Sequence, residues 1–72
     1  MKVKYTIVPQ PYGKDVKFKE KIRQYKLADA FANYGHNEGH KHAKALAKEL
    51  HSKGYKTKIV PKVGATGVYY RK

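Results

Sequence analysis

The chain has no cysteine, few acidic residues and no long apolar run. Without cysteine it can form neither a disulfide bond nor a thiolate zinc site, which is typical of a reducing compartment. Lysines interrupt the apolar residues of 1–10, so this stretch resembles neither a signal peptide nor a membrane span. We therefore expect a cytoplasmic protein that does not associate with a membrane.

Positive charge dominates the composition. Against five Asp and Glu stand 17 Lys and Arg, which gives a formal net charge of +12 and a pI near 10.0. Such a charge favours an anionic partner. A hydrophobic content of 40%, with seven tyrosines and two phenylalanines, argues against a disordered basic tail. The length of 72 residues indicates a single folded domain spanning 1–72.

The first half of the sequence predicts two strands. Apolar and lysine residues alternate over 2–8, a two-residue period, and a loop rich in proline and glycine follows at 9–15. Alternation resumes from 16 to about 25, and a short helix is predicted at 27–34. A single helix over 16–34 is the alternative, because one helical face would hold Phe18, Ile22, Tyr25, Ala28 and Ala32.

The second half predicts a helix and a β-hairpin. The helix covers about 37–53, capped by Asn37 and ended by Gly54. Strands at 55–62 and 68–71 follow, joined by a glycine-containing turn. The resulting fold class is α+β, a small ββαββ domain whose antiparallel sheet has one main helix packed on one face.

Strand alternation then sorts the side chains onto two faces of the predicted sheet. The helix-covered face would hold Val3, Tyr5, Ile7, Val16, Phe18, Ile22, Tyr55, Ile59, Val68 and Tyr70. The open face would hold Lys2, Lys4, Lys17, Lys19, Lys21, Arg23, Lys56, Lys58, Lys62 and Arg71, with Tyr25 and Tyr69 among them. No acidic residue has this parity, so the pattern predicts a phosphate-binding surface with tyrosines for base stacking.

The leading hypothesis is a non-catalytic nucleic-acid-binding protein, for DNA or RNA. Lysine outnumbers arginine fifteen to two, and lysine lacks the fork that reads guanine, so we expect backbone contacts with low sequence specificity. The structural alternative is that these lysines only fill a solvated sheet face.

A second hypothesis is an interaction or inhibitor protein that docks its basic face on an acidic protein surface. In its order of strand, strand, helix, strand and strand and in its high lysine content, the chain resembles small proteins of phages and mobile elements. Either a monomer or a homodimer is compatible with the sequence, since an exposed edge strand can pair between subunits.

The histidines suggest two weaker hypotheses. His36, His40 and His42 are weak candidates for a metal site, because histidines four apart on a helix can both bind zinc. A small nuclease would use His36, His40 and His51 as general acid and base, with Lys44 stabilising charge. No cofactor is expected.

Overall fold

The structure is a computed structural model that describes residues 3–10, 13–33 and 38–72. Its elements in chain order are β1 (Tyr5–Val8), β2 (Val16–Lys19), β3 (Lys21–Ile22), β4 (Tyr25–Ala32), α1 (Glu38–Ser52), β5 (Lys56–Lys62) and β6 (Ala65–Arg71). All strand pairs are antiparallel. β1 and β2 form a two-stranded sheet, and the other four strands form a second sheet in the order β3-β4-β6-β5.

One face of the four-stranded sheet is covered by α1. Ala43 and Ala47 of the helix pack against Val68 at the centre of β6. Their small side chains let the helix axis lie close to the sheet, while Leu46 and Leu50 extend the contact sideways. The predicted α+β architecture, with antiparallel strands and one helix on the sheet, is confirmed.

Glycines position both ends of α1. A Cβ at Gly39 would lie 2.7 Å from the carbonyl oxygen of Phe31, so the first turn of the helix packs directly on the end of β4. At the other end Gly54 has a φ of 92°, and the N–H of Tyr55 donates to the carbonyl of Leu50 at 3.1 Å. This is the Schellman closure that a glycine after the last helical turn allows, as predicted.

The opposite face of the sheet is covered by the β1–β2 hairpin. Phe18 of β2 is fully buried and packs with Val8 and Ala65. A Cβ at Gly67 of β6 would lie only 2.7 Å from the Phe18 ring. Glycine at this position therefore lets the aromatic ring rest directly on the backbone of the central strand.

The chain passes from one sheet to the other by bending at Glu20. Its N–H donates to the carbonyl of Lys4 at 3.0 Å, which continues the pairing of β1 with β2. Its carbonyl accepts the N–H of Leu27 at 2.8 Å, which continues the pairing of β3 with β4. Strands that switch sheets at such a bend form the corner between two packed layers. The exposed Glu20 interrupts the apolar alternation because it occupies this corner.

Two predictions about 16–34 are wrong. The predicted single strand is divided into β2 and β3 and ends in a turn, so four strands rather than two precede the helix. The short helix at 27–34 is instead β4 as far as residue 32, with Tyr34 outside the described residues. Leu27 packs on the hairpin layer and Phe31 on the helix layer. A strand buried on both faces is apolar at odd and even positions alike. Such a run has no two-residue period, so its sequence cannot be distinguished from that of a buried helix.

The predicted parity of β1 is also wrong. Val3, Tyr5 and Ile7 were expected under the helix, but they are 54%, 47% and 54% exposed. The register pairs Thr6 with Phe18, and directly opposite residues share a face. The even-numbered residues of β1 therefore face the core. Within the described residues, the structure has no helix of the length and apolar character that a bilayer crossing requires.

Candidate nucleic-acid interface

The lysine face predicted to be open is largely covered. The hairpin packs over the middle of that face, on Leu27, Ala30, Ala32 and Ala65. Tyr69, predicted to stack on bases, is 1% exposed, and burial raises its pKa. It cannot contact a base in this conformation, so its assignment is corrected. The predicted cations lie around the hairpin instead of on one continuous plane.

Side chains from the sheet fix the free edge of β2. In an antiparallel ladder every second residue hydrogen-bonds to the partner strand. Because Glu20 bonds to β1, the backbone N–H and C=O groups of Lys19 and Lys17 point away from β1, toward the free edge of the hairpin. The carbonyl of Lys17 accepts Lys62 Nζ at 2.7 Å, and the carbonyl of Lys19 accepts the Tyr69 hydroxyl. Lys62 Nζ also lies 4.9 Å from the centre of the Phe18 ring. The Tyr69 contact holds β2 over β6, and the Lys62 contact joins the free edge of β2 to β5.

This attachment brings two sets of predicted cations to one side of the molecule, which we name the basic flank. Its members are Lys17 and Lys19 on the outer face of the hairpin and Lys56, Lys58 and Lys62 on β5, all of them exposed. The three β5 lysines lie on the hairpin side of the sheet, because Lys58 pairs with Tyr69 and Lys62 with Ala65. Sequence parity predicted this grouping on β5 correctly.

No carboxylate in the part of the chain that the structure describes forms an ion pair with the basic flank. Among the described residues, the structure has one ion pair, between Lys53 and Glu49 at 3.6 Å, and both belong to the helix side. None of the basic-flank lysines takes part in it. Uncompensated cations on one surface repel each other, and a polyanion relieves that repulsion.

Tyr25 and Arg71 lie at the end of the same side and contact each other. The Arg71 guanidinium lies 5.3 Å from the centre of the Tyr25 ring and donates to the side-chain oxygen of Gln24. Arg71 pairs across the strands with Lys56, which connects this contact to the basic flank. Both predicted residues are half-buried, so Arg71 stabilises the β3–β4 turn in addition to adding positive charge.

A second cationic site lies in an open groove of about 780 Å³ at the corner of the fold. We call it the corner groove; its lining includes the predicted Lys4, Lys21 and Arg23, together with Lys26 and Glu20. Arg23 has a φ of 55°, the left-handed region usually occupied by glycine or asparagine in such a hairpin turn. The predicted Lys2 lies outside the described residues.

Two parts of these surfaces were not predicted. Lys26 lies between the predicted strand, which ended at about Tyr25, and the predicted helix at 27–34, so it was not counted among the site residues. The exposed side chains of Val3, Tyr5 and Ile7 were assigned to the core. No local signal identifies their exposure, because it follows from the pairing of β1 with Phe18 on β2.

The histidine candidates that the structure describes, His40, His42 and His51, belong to no metal-binding cluster. His40 and His42 lie in the first turns of α1, where the His42 ring is 5.7 Å from the ring of Phe31. His36 lies outside the described residues, within which no three His, Cys, Asp or Glu side chains cluster. His40 and His51 are about 16 Å apart along the helix, given its rise per residue.

Comparison with known proteins gives no family for this chain. No protein-family model, curated protein or solved structure matches it.

Proposed function

We propose that the protein binds nucleic acid without catalysing a reaction, mainly through contacts between lysines and phosphates. The observation that carries the proposal is the basic flank, where five exposed lysines from β2 and β5 lie together without a carboxylate partner among the described residues. Lysine contacts a phosphate as a point charge, so the binding has low sequence specificity.

The corner groove supports the same proposal. It adds four cationic side chains at the point where β2 bends into β3. Lys19 and Lys21 flank Glu20 in the chain, so the groove and the outer face of the hairpin are neighbours. A phosphate chain that crosses the basic flank therefore meets further positive charge at this corner.

Charge reduction at two matched locations tests the proposal. The first variant is Lys17→Gln, Lys19→Gln and Lys58→Gln; Lys62 is retained because it holds β2 to β5. The control is Lys41→Gln, Lys44→Gln and Lys48→Gln on the exposed side of α1. Both variants lower the net charge by three units.

Fluorescence anisotropy with labelled DNA and RNA at about 50 mM salt measures the difference. We expect the first variant to bind about a hundredfold more weakly or worse, because three phosphate contacts are lost. The control should stay within a few fold of the unaltered protein. Equal losses in the two folded variants would show that only net charge matters. Absence of binding by the unaltered protein would favour the alternative of an acidic protein partner.

A further inference from the structure

The outer face of the β1–β2 hairpin, which we call the hairpin face, carries an apolar row beside a cationic row. Tyr5 and Ile7 of β1 are about half exposed, and Val3 extends their row. The register places Lys19 opposite Tyr5 and Lys17 opposite Ile7. Neighbouring strands lie about 4.8 Å apart, so Tyr5 and Ile7 each have a lysine next to them.

The orientation of β1 makes this exposure unusual. Its inner face carries the half-buried Thr6 and the buried Val8, while the larger Tyr5 and Ile7 point outward. A domain of this size has little apolar surface to spare for solvent. A row of large apolar side chains left outside the core marks a surface that contacts a partner.

We propose that the hairpin face binds single-stranded nucleic acid, with a base stacked on Tyr5 and phosphates beside Lys17 and Lys19. This inference rests on the proposed function. A single strand carries flat apolar bases on one side and phosphates on the other, which matches the two rows. In a duplex the bases are stacked inside and cannot reach Tyr5. A second copy of this chain would bring like charges together, which disfavours self-association through this face.

A tryptophan reporter detects the stacking directly, because the chain contains no tryptophan. Tyr5→Trp places the reporter in the apolar row. Ala45→Trp is the matched control, since Ala45 is exposed on α1 and has Lys41 and Lys48 as helical neighbours. We expect single-stranded oligonucleotides to quench the fluorescence of the first protein and to leave that of the second nearly unchanged.

Truncation of the ring measures its contribution. We expect Tyr5→Ala to weaken binding of a single-stranded 12-nucleotide probe by about tenfold or more. Tyr5→Phe should retain most of the affinity. The dependence of binding on salt should not change in Tyr5→Ala, because no phosphate contact is lost. Duplex DNA should bind more weakly than single-stranded DNA or RNA, and comparison of the two single strands identifies the preferred sugar.

The outcomes separate this inference from the proposed function. If duplex and single strands bind equally and Tyr5→Ala has no effect, the inference is overturned while nucleic-acid binding stands. Equal quenching of the two tryptophan reporters would also overturn it. If no nucleic acid binds, both proposals fail. A dimer in light scattering that Tyr5→Ala dissociates, without quenching by any oligonucleotide, would assign the hairpin face to self-association.

Discussion

Replacement of Gly67 by alanine tests how the hairpin is attached to the sheet. The added methyl carbon would lie 2.7 Å from Cδ1 and 2.8 Å from Cε1 of Phe18. Carbon atoms in favourable contact are about 3.5–4.0 Å apart, so the ring must move by about 1 Å. Phe18 is completely buried, and β6 is paired on both sides, so neither partner moves easily.

Overpacking of this kind costs about 1–3 kcal/mol of the free energy of unfolding. For a chain of this length the whole free energy of unfolding is about 4–11 kcal/mol, so the loss is a large share. Urea denaturation followed by circular dichroism measures this loss of free energy. In a thermal melt the Tm should fall by roughly 10 °C. A Phe18→Leu change in the Gly67→Ala background should recover part of the loss, because it removes ring atoms at the clash.

The opposite result would refute this account of the hairpin. Alanine in a strand loses less conformational entropy on folding than glycine, by about 0.5–1 kcal/mol. If Gly67→Ala were more stable than the unaltered protein by this amount, no steric cost would oppose the gain. The Phe18 ring would then not rest on β6, and the hairpin would not hold Lys17 and Lys19 beside β5.

Three further changes have defined outcomes. Arg23→Gly should raise the free energy of unfolding by about 0.5–1 kcal/mol in urea denaturation, since it relieves a left-handed φ, yet weaken nucleic-acid binding. Tyr69→Phe should cost about 1–2 kcal/mol at neutral pH, because it leaves the Lys19 carbonyl unpaired. Burial raises the pKa of Tyr69 above its ordinary value of 10.0. The protonated hydroxyl therefore adds stability that is fully present below pH 10.0 and is lost as the pH rises through the raised pKa. Denaturation curves of Tyr69→Phe should lack this loss of stability at alkaline pH. Gly39→Ala should lower the Tm despite alanine's higher helix propensity, because its Cβ would meet the Phe31 carbonyl; an unchanged Tm would contradict the close contact of α1 with β4.

Local sequence signals predicted α1 and β5 well, whereas β6 begins at Ala65, three residues before its predicted start at 68. The apolar stripe and the glycine after the last turn located α1 to within about one residue of its described bounds. The alternation of lysine with apolar residues placed Lys56, Lys58 and Lys62 on one side of β5. These features depend on periods of 3.6 and two residues, which a single sequence records directly.

The first half depended on contacts between distant residues. The outward orientation of Tyr5 follows from the pairing of Thr6 with Phe18. No local sequence pattern around either residue predicts that pairing. β4 is apolar on two faces because the hairpin covers one of them, and without that layer its pattern also fits a helix. The candidate site was therefore predicted as one set of lysines, arginines and tyrosines, but its division into a basic flank, a hairpin face and a corner groove was not predicted.

The dependence of affinity on salt tests the central claim most directly. With Lys62 engaged at the hairpin, four basic-flank lysines remain for phosphates, so they alone contribute about −3 to the slope of log K against log salt, and the corner groove adds to this. The account predicts that the variant at Lys17, Lys19 and Lys58 lowers this slope by about 2, while the control on α1 keeps it. A slope near zero for the unaltered protein, or an equal change in both variants, would contradict phosphate binding by the basic flank.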